Sequence, residues 1–354
     1  MSHLRWAVGI VISAVALYVA FAGLDWPAVG DALRAANYLL LLLCPFLLLL
    51  LLLVRAQRWR MLFYPDRHVS LLSTFAALNI GYMTGNILPL QLGEVARAYV
   101  LGEAENIAKV RVLSTIAIER LLDTLTLLTI FAILLPLVDV PRIATLMAGL
   151  LLIGSLTCAA LLGVAIRDRN RAERWLAPVT ARLPARFQQT GQRWAGSMLD
   201  GLSSLSNPAV LLSVVGWTVI SWLISAAILY VIMRAFDLDV PVIAAPFLLV
   251  TTTFGFFIPS SPGAIGVYDA ISIRTLTEIF SVAQAPAASY AIVAHALYAI
   301  PPTVVGAYFF FRHQMSLRRI REWNAAEDSS TAEEEPPSSA GEIERSPVPG
   351  DPRS

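Results

Sequence analysis

Six apolar runs constrain this chain more than anything else in it: residues 4–22, 38–54, 112–138, 143–166, 210–233 and 289–311. Each is about as long as a helix must be to cross a hydrocarbon core, roughly 17 to 25 residues. Backbone immersed in lipid has to satisfy its own hydrogen bonds, so such runs are expected as helices. Composition excludes an ordinary soluble domain, because 57% of the 354 residues are hydrophobic and only 14% are charged. The first run lacks a small-residue cleavage site followed by a polar domain, so it reads as a retained helix rather than a signal peptide. Cys44 and Cys158 both lie inside apolar runs, which points to packing rather than to a disulfide or metal framework.

Two other apolar stretches, near 71–92 and 242–280, are interrupted. Asn79, Asn86, Pro89 and Gly93 break the first, and Pro259, Pro262, Gly263 and Gly266 the second. Both share a Pro-x-x-x-Gly core, Pro89 to Gly93 and Pro262 to Gly266, and both then carry an acid, Glu94 or Asp269, into a short helical segment. Backbone freed at membrane depth is tolerated only where it is buried in protein or lines a wet cavity. Paired interruptions in the two halves of a membrane protein point to a transport site.

Loop charge gives these stretches a direction. The segment 55–68 carries Arg55, Arg58, Arg60 and Arg67 against Asp66, and the segment 167–208 is also rich in arginine, so both are expected on the cytoplasmic side. Two clear spans separate them, so the first broken stretch makes an even number of crossings and opens from the cytoplasm. The segment 234–240 with Asp237 and Asp239 then lies outside, and the final span returns to a cytoplasmic end with Arg312, Arg318, Arg319 and Arg321. By the same parity the second broken stretch opens from the outside, and Pro and Gly at its apex favour a turn at mid-depth over two full crossings.

The fold expected is an all-α polytopic membrane protein, with six full transmembrane helices and two opposed re-entrant helical hairpins, about 70–101 and 242–280, in an inverted-repeat arrangement. Residues 1–321 form one transmembrane domain of a bacterial inner membrane, with both termini cytoplasmic. Segment 23–37 is an outside loop. Within 167–208, Phe187, Trp194, Met198, Leu202 and Leu205 recur at helical spacing. That amphipathic segment lies on anionic headgroups or docks on the bundle, the pattern serving either. Residues 322–354 have the composition of a disordered tail. No nucleotide loop, His-Glu-x-x-His or Gly-x-Ser-x-Gly motif occurs, so catalysis, a metal, a cofactor and a nucleic-acid partner are not expected.

Ionisable groups within a membrane domain cost about 2.5 to 3.5 kcal/mol each on insertion scales, so they face a partner or a cavity. Glu94 and Arg97 share a helical face, as do Glu119 and Asp123, whose carboxylates repel unless a cation such as Arg97 or Arg120 stands between them. One reading is an ion-pair lock between hairpin and span; the other, a lining for a cavity. His295 in the last span is either a packing residue or a proton relay. Ser260 and Ser261 can cap a helix beginning near Pro262-Gly263, whose N–H groups would then meet an anion.

These blocks together carry a family resemblance. Asn86-Ile-Leu-Pro-Leu-Gln-Leu-Gly-Glu-Val-Ala-Arg97, Glu119-Arg-Leu-Leu-Asp123 and Ser261-Pro-Gly-Ala-Ile-Gly-Val-Tyr-Asp269 resemble, in that order, the signatures of the flippase-like transmembrane domain of lysylphosphatidylglycerol synthases. The resemblance implies movement of a polar-headed lipid between leaflets, without the soluble transferase half. Cargo classes in keeping with it are an aminoacyl-phospholipid, a polyprenyl-linked sugar, a hopanoid or another glycolipid. The site residues it implies are Asn86, Pro89, Gly93, Glu94, Arg97, Glu119, Arg120, Asp123, Pro262, Gly263, Gly266 and Asp269, with His295 beside them. Arg97 and Arg120 are expected to hold a phosphate, and the three carboxylates to hold cationic or hydroxyl groups. Two alternatives stand beside this: an intramembrane lipid-modifying enzyme using Glu94 and Asp123 as acid and base, and a membrane partner of a separately encoded glycosyl- or acyltransferase. Membrane lipids are the partner in every case, and the sequence sets no oligomeric state.

Overall fold

Large apolar side chains face outward and charges face inward, the reverse of a soluble protein. Leu39, Leu42 and Phe46 on one helix and Leu146, Leu150 and Ile153 on another are well exposed, whereas Arg58, Arg97 and Glu119 are buried. The structure, a computed structural model, describes residues 2–64, 67–88, 92–138, 142–182, 204–256 and 261–312, with Gln188, Gln192, Gly196 and Leu199. Every regular element among them is helical. They belong to one unit, Met1–Met315; the tail at 322–354, Pro89, Pro259, Ser260 and most of the amphipathic segment lie outside the described residues.

Five of the six apolar runs appear as long apolar helices: α3 (Tyr38–Met61), α6 (Lys109–Leu134), α7 (Arg142–Arg167), α9 (Pro208–Ala235) and α12 (Gln284–Arg312). The remaining run is α1 (Ser2–Phe21), and it joins α2 (Trp26–Ala35) through a bend of 79°, so five or six helices qualify as spans according to how that bent pair is counted. Segment 23–37 is therefore mostly helix rather than the loop expected. Asp25 caps α2 by accepting from the Ala28 N–H at 3.3 Å, and Pro27 in the first turn has no N–H to leave unpaired. A second capped entry starts α3, where the Asn37 side chain accepts from the Leu39 and Leu40 N–H groups.

Both interrupted stretches fold as helix, break, helix. α4 (Leu71–Ile87) and α5 (Leu92–Ala104) pack face to face because two glycines meet: a Cβ on Gly93 would stand 2.5 Å from the Gly81 carbonyl oxygen. The second is α10 (Ala244–Gly255), a 3-10 turn (Pro262–Ala264), α11 (Val267–Arg274) and a π-helical turn (Thr275–Ile279). α8 (Arg169–Ala181) follows α7, and Leu205 of the amphipathic pattern is buried in a 3-10 turn. The two breaks approach one another. A Cβ on Gly263 would lie 3.7 Å from the Asn86 carbonyl oxygen, and the Asn86 amide donates to Ala299 O (3.3 Å) and Thr303 Oγ1 (3.0 Å) on α12.

Candidate functional site

The apolar run that begins α3 continues as helix through Met61, which carries Arg55 and Arg58 inward instead of into a loop. Arg58 thereby solves the repulsion between Glu119 and Asp123. Its Nη2 donates to Glu119 Oε1 at 2.7 Å and its Nη1 to Asp123 Oδ1 at 2.5 Å. The other Glu119 oxygen accepts from Arg97 Nη2 at 2.7 Å, and Arg97 Nη1 reaches Glu94 Oε2 at 3.0 Å. Glu94 Oε1 pairs with Arg120 Nη2 at 2.8 Å, and Arg120 returns towards Asp123 at 3.9 Å. Six charges of alternating sign thus close a ring through α3, α5 and α6.

The ring is tilted. Arg97, Glu119 and Arg58 have side-chain exposures of 1%, 2% and 4%, whereas Glu94 and Arg120 reach 33% and 47%. The buried edge is further fixed by Trp59, whose ring lies 4.2 Å from the Arg97 guanidinium carbon and whose Nε1 donates to Thr115 Oγ1 at 3.1 Å. Three cations cancel three anions. Neither Arg97 nor Arg120 is left as a free counter-charge, which differs from the phosphate-holding role expected of them. Sequence motifs bring out five of these groups; the sixth, Arg58, supplies the missing partner.

A second polar cluster has no acid in it. Arg55 Nη1 donates to the Tyr82 hydroxyl at 3.0 Å and its Nη2 to Ser225 Oγ at 3.5 Å, while the Tyr298 hydroxyl donates to the Ser225 carbonyl at 3.2 Å. Among the described residues no carboxylate pairs with Arg55. Sequence reasoning missed this cluster and Arg58 together, although Arg55, Arg58 and Trp59 continue the helical spacing of the run before them. Nearby, Pro301 and Pro302 lie inside α12. They bring no N–H groups, so the carbonyls one turn earlier lose their helical donors.

The second hairpin is organised around Asp269. Its Oδ2 accepts from the Gly266 N–H at 3.0 Å, and both its oxygens lie 3.1 Å from His295 Nδ1. His295 Nε2 lies 2.9 Å from the Gly263 carbonyl. The helix expected to start near Pro262 begins only at Val267, after a single 3-10 turn with Gly263 at φ +71°. The N–H of Gly266, the residue before it, is taken by Asp269. Of the residues named from sequence, Glu94, Arg97, Glu119, Arg120 and Asp123 come together in the ring. Asn86, Gly263, Gly266, Asp269 and His295 gather at the meeting of the two breaks with Pro262 in the turn, Gly93 packs the first hairpin, and Pro89 lies outside the described residues.

A family model described as the lysylphosphatidylglycerol synthase TM region matches residues 6–306, a stretch that contains the whole ring and both hairpins. The chain belongs to this family. It is a multi-pass membrane protein. One relative, a UPF0104 membrane protein of Methanothermobacter thermautotrophicus, is 28% identical over 295 residues, 77% of this chain and 85% of its own length. No solved structure matches. Membership of the lysylphosphatidylglycerol synthase TM region gives Arg58 a place in the matched stretch alongside the residues the motifs had singled out.

Proposed function

We propose that this member of the lysylphosphatidylglycerol synthase TM region is a lipid translocase that moves a polar-headed lipid between leaflets of a bacterial inner membrane. The headgroup would pass between two re-entrant hairpins of opposed orientation while the tail stays in the bilayer. The observation that carries this reading is Arg55, a half-buried guanidinium whose partners among the described residues are neutral groups of α4 and α9, beside a ring whose own charges cancel. A cation within a membrane bundle ordinarily finds an acid. One that keeps neutral neighbours instead suits an anionic headgroup, with the exposed edge of the ring, Glu94 and Arg120, meeting its polar remainder. The hairpins' freed backbone and the proline-interrupted stretch of α12 supply the polar lining such a path needs.

The test is leaflet exchange of fluorescent phospholipids in liposomes with purified protein, comparing wild type, Arg55→Met and Glu94→Gln. Wild type should exchange above empty liposomes and Arg55→Met markedly less. Equal rates in wild-type and empty liposomes would refute the translocase.

A second reading has its own observation: the complete pairing of the ring is what a structural lock between hairpin and bundle requires. Under it Glu94→Gln lowers thermal stability and leaves exchange untouched. On the translocase reading the half-exposed Glu94 variant loses exchange with little loss of stability.

A further inference from the structure

His295 is placed with an oxygen at each ring nitrogen: the Asp269 carboxylate at Nδ1 and the Gly263 carbonyl at Nε2. A carbonyl only accepts, so Nε2 must carry hydrogen for that contact to attract. One further proton is then needed between Nδ1 and the carboxylate. With it, the pair is a neutral unit, either imidazolium with carboxylate or imidazole with carboxylic acid. Without it, the neutral ring has a single N–H, so one of the two contacts sets a lone pair against an oxygen lone pair, and the unit carries a net negative charge inside an apolar bundle. The pair is poorly hydrated for such a charge, with side-chain exposures of 15% for His295 and 7% for Asp269.

What the proton holds is the turn of the second hairpin. Gly263 and Gly266 bracket the turn, and both are tied into this unit, one through its carbonyl and the other through its N–H. The turn is also wedged against α1, where the Ser261 N–H donates to Ser13 Oγ at 2.8 Å, and it meets the end of α4 at Asn86. We propose that the His295–Asp269 pair is a proton-binding site, and that its bound proton latches the second hairpin's turn to α12. The step is a simple uptake: one proton from water gives both ring nitrogens an N–H, and on its release the one N–H left stays at Nδ1 with the carboxylate, the stronger acceptor, so that the bare Nε2 repels the Gly263 carbonyl and frees that end of the turn. This concerns the position of the hairpin and stands whether or not the cargo is a lipid.

Among the described residues no other ionised group pairs with His295 or Asp269. From α11 His295 meets Asp269 and the Tyr268 ring, whose centroid is 4.8 Å away. From α3 and α4, Arg55 and Tyr82 bond to each other, and α9 contributes Ser225. On α2, Asp31 and Arg34 pair with one another at its exposed face, as do Arg274 and Glu278 at the end of α11 and in the π turn. Tyr290 and Tyr298 stand on α12 itself. The hydroxyl-bearing Tyr268, Ser272 and Tyr290 are buried beside the pair on α11 and α12.

The chain has four histidines, so the ring is directly observable. Full-length protein with ring-labelled histidine, in lipid nanodiscs, is titrated by NMR, with His295→Gln assigning the signal. In parallel, Ile265→Cys, at a half-exposed turn position, carries an environment-sensitive fluorophore. The expected result is a His295–Asp269 unit that loses one proton as pH rises, with the Ile265 fluorescence changing over the same range in wild type and being flat in His295→Gln and in Asp269→Asn. A fluorophore that follows pH identically in wild type and His295→Gln overturns the proposal, as does a His295 signal unchanged by Asp269→Asn. Asp269→Asn keeps the side chain's shape, and the wild-type titration needs no variant to fold.

Discussion

Replacing Arg58 by Met tests the ring at its most buried corner. The guanidinium makes hydrogen bonds of 2.7 and 2.5 Å to Glu119 and Asp123 and is almost fully enclosed, at 4% side-chain exposure. Met fills much the same volume, so the loss is mainly electrostatic. Three acids would then face two bases, and Asp123 would keep only the 3.9 Å approach of Arg120. Removing one partner of a buried pair leaves an uncompensated charge and costs about 3–5 kcal/mol. The same change at Arg120, which is 47% exposed, should cost no more than about 1 kcal/mol because solvent screens that corner. Thermal unfolding in nanodiscs, followed by Trp fluorescence, compares the two. Adding Asp123→Asn to Arg58→Met restores charge balance and should recover a large part of the loss. Equal midpoints for Arg58→Met and Arg120→Met, or a double variant as unstable as Arg58→Met alone, would refute the reasoning.

Gly93→Ala puts a methyl 2.5 Å from the Gly81 carbonyl and should destabilise the first hairpin by about 1–3 kcal/mol in the same unfolding assay, since backbone there must move apart. Arg55→Met should leave the unfolding midpoint near wild type. It should slow exchange of anionic phospholipid about tenfold, the effect of losing one charge-assisted hydrogen bond of ~1.5 kcal/mol in the transition state. Exchange of a lipid with an uncharged headgroup should change little. Trp59→Phe removes the 3.1 Å hydrogen bond to Thr115 but keeps an aromatic face beneath Arg97, so it should cost about 1 kcal/mol, readable as a lowered midpoint.

What the sequence made legible was what lipid dictates most strongly. Runs of apolar residues near bilayer length specify helices because no other backbone state hides its polar groups there, and the Gly and Pro breaks at 86–93 and 259–266 were visible for the same reason. Glu94 with Arg97 and Glu119 with Asp123 were recognisable as pairs because i,i+3 and i,i+4 spacing puts each pair on a common face. Arg58 was lost to a rule that serves orientation: arginines flanking an apolar run count as cytoplasmic loop charges, yet this helix runs on to Met61 and turns Arg58 inward. Tertiary partners 61 and 65 residues away, Glu119 and Asp123, decide that direction. The helix start near Pro262 failed for a local reason: Gly263 takes a left-handed conformation, which postpones α-helix to Val267 and lets Asp269 claim the Gly266 N–H.

The two hairpins are therefore fastened by different chemistry. The first is tied to α6 by Arg97 and Arg120, with Arg58 holding α6 in turn to α3, guanidinium groups that stay charged at any physiological pH. The second is tied to α12 through a single imidazole, the side chain whose charge changes most readily near neutrality. Opening the first costs the separation of buried, multiply bonded ions; opening the second costs the release of one proton and the neutral Ser261–Ser13 hydrogen bond. If one hairpin moves while the other serves as its frame, the energetic asymmetry assigns motion to the second. A headgroup held beside Arg55 and the ring's open edge would then be recognised by the static half and released by the mobile one. Locking the second turn by a cross-link to α12 should accordingly abolish exchange, whereas cross-linking α4 to α5 should leave it intact.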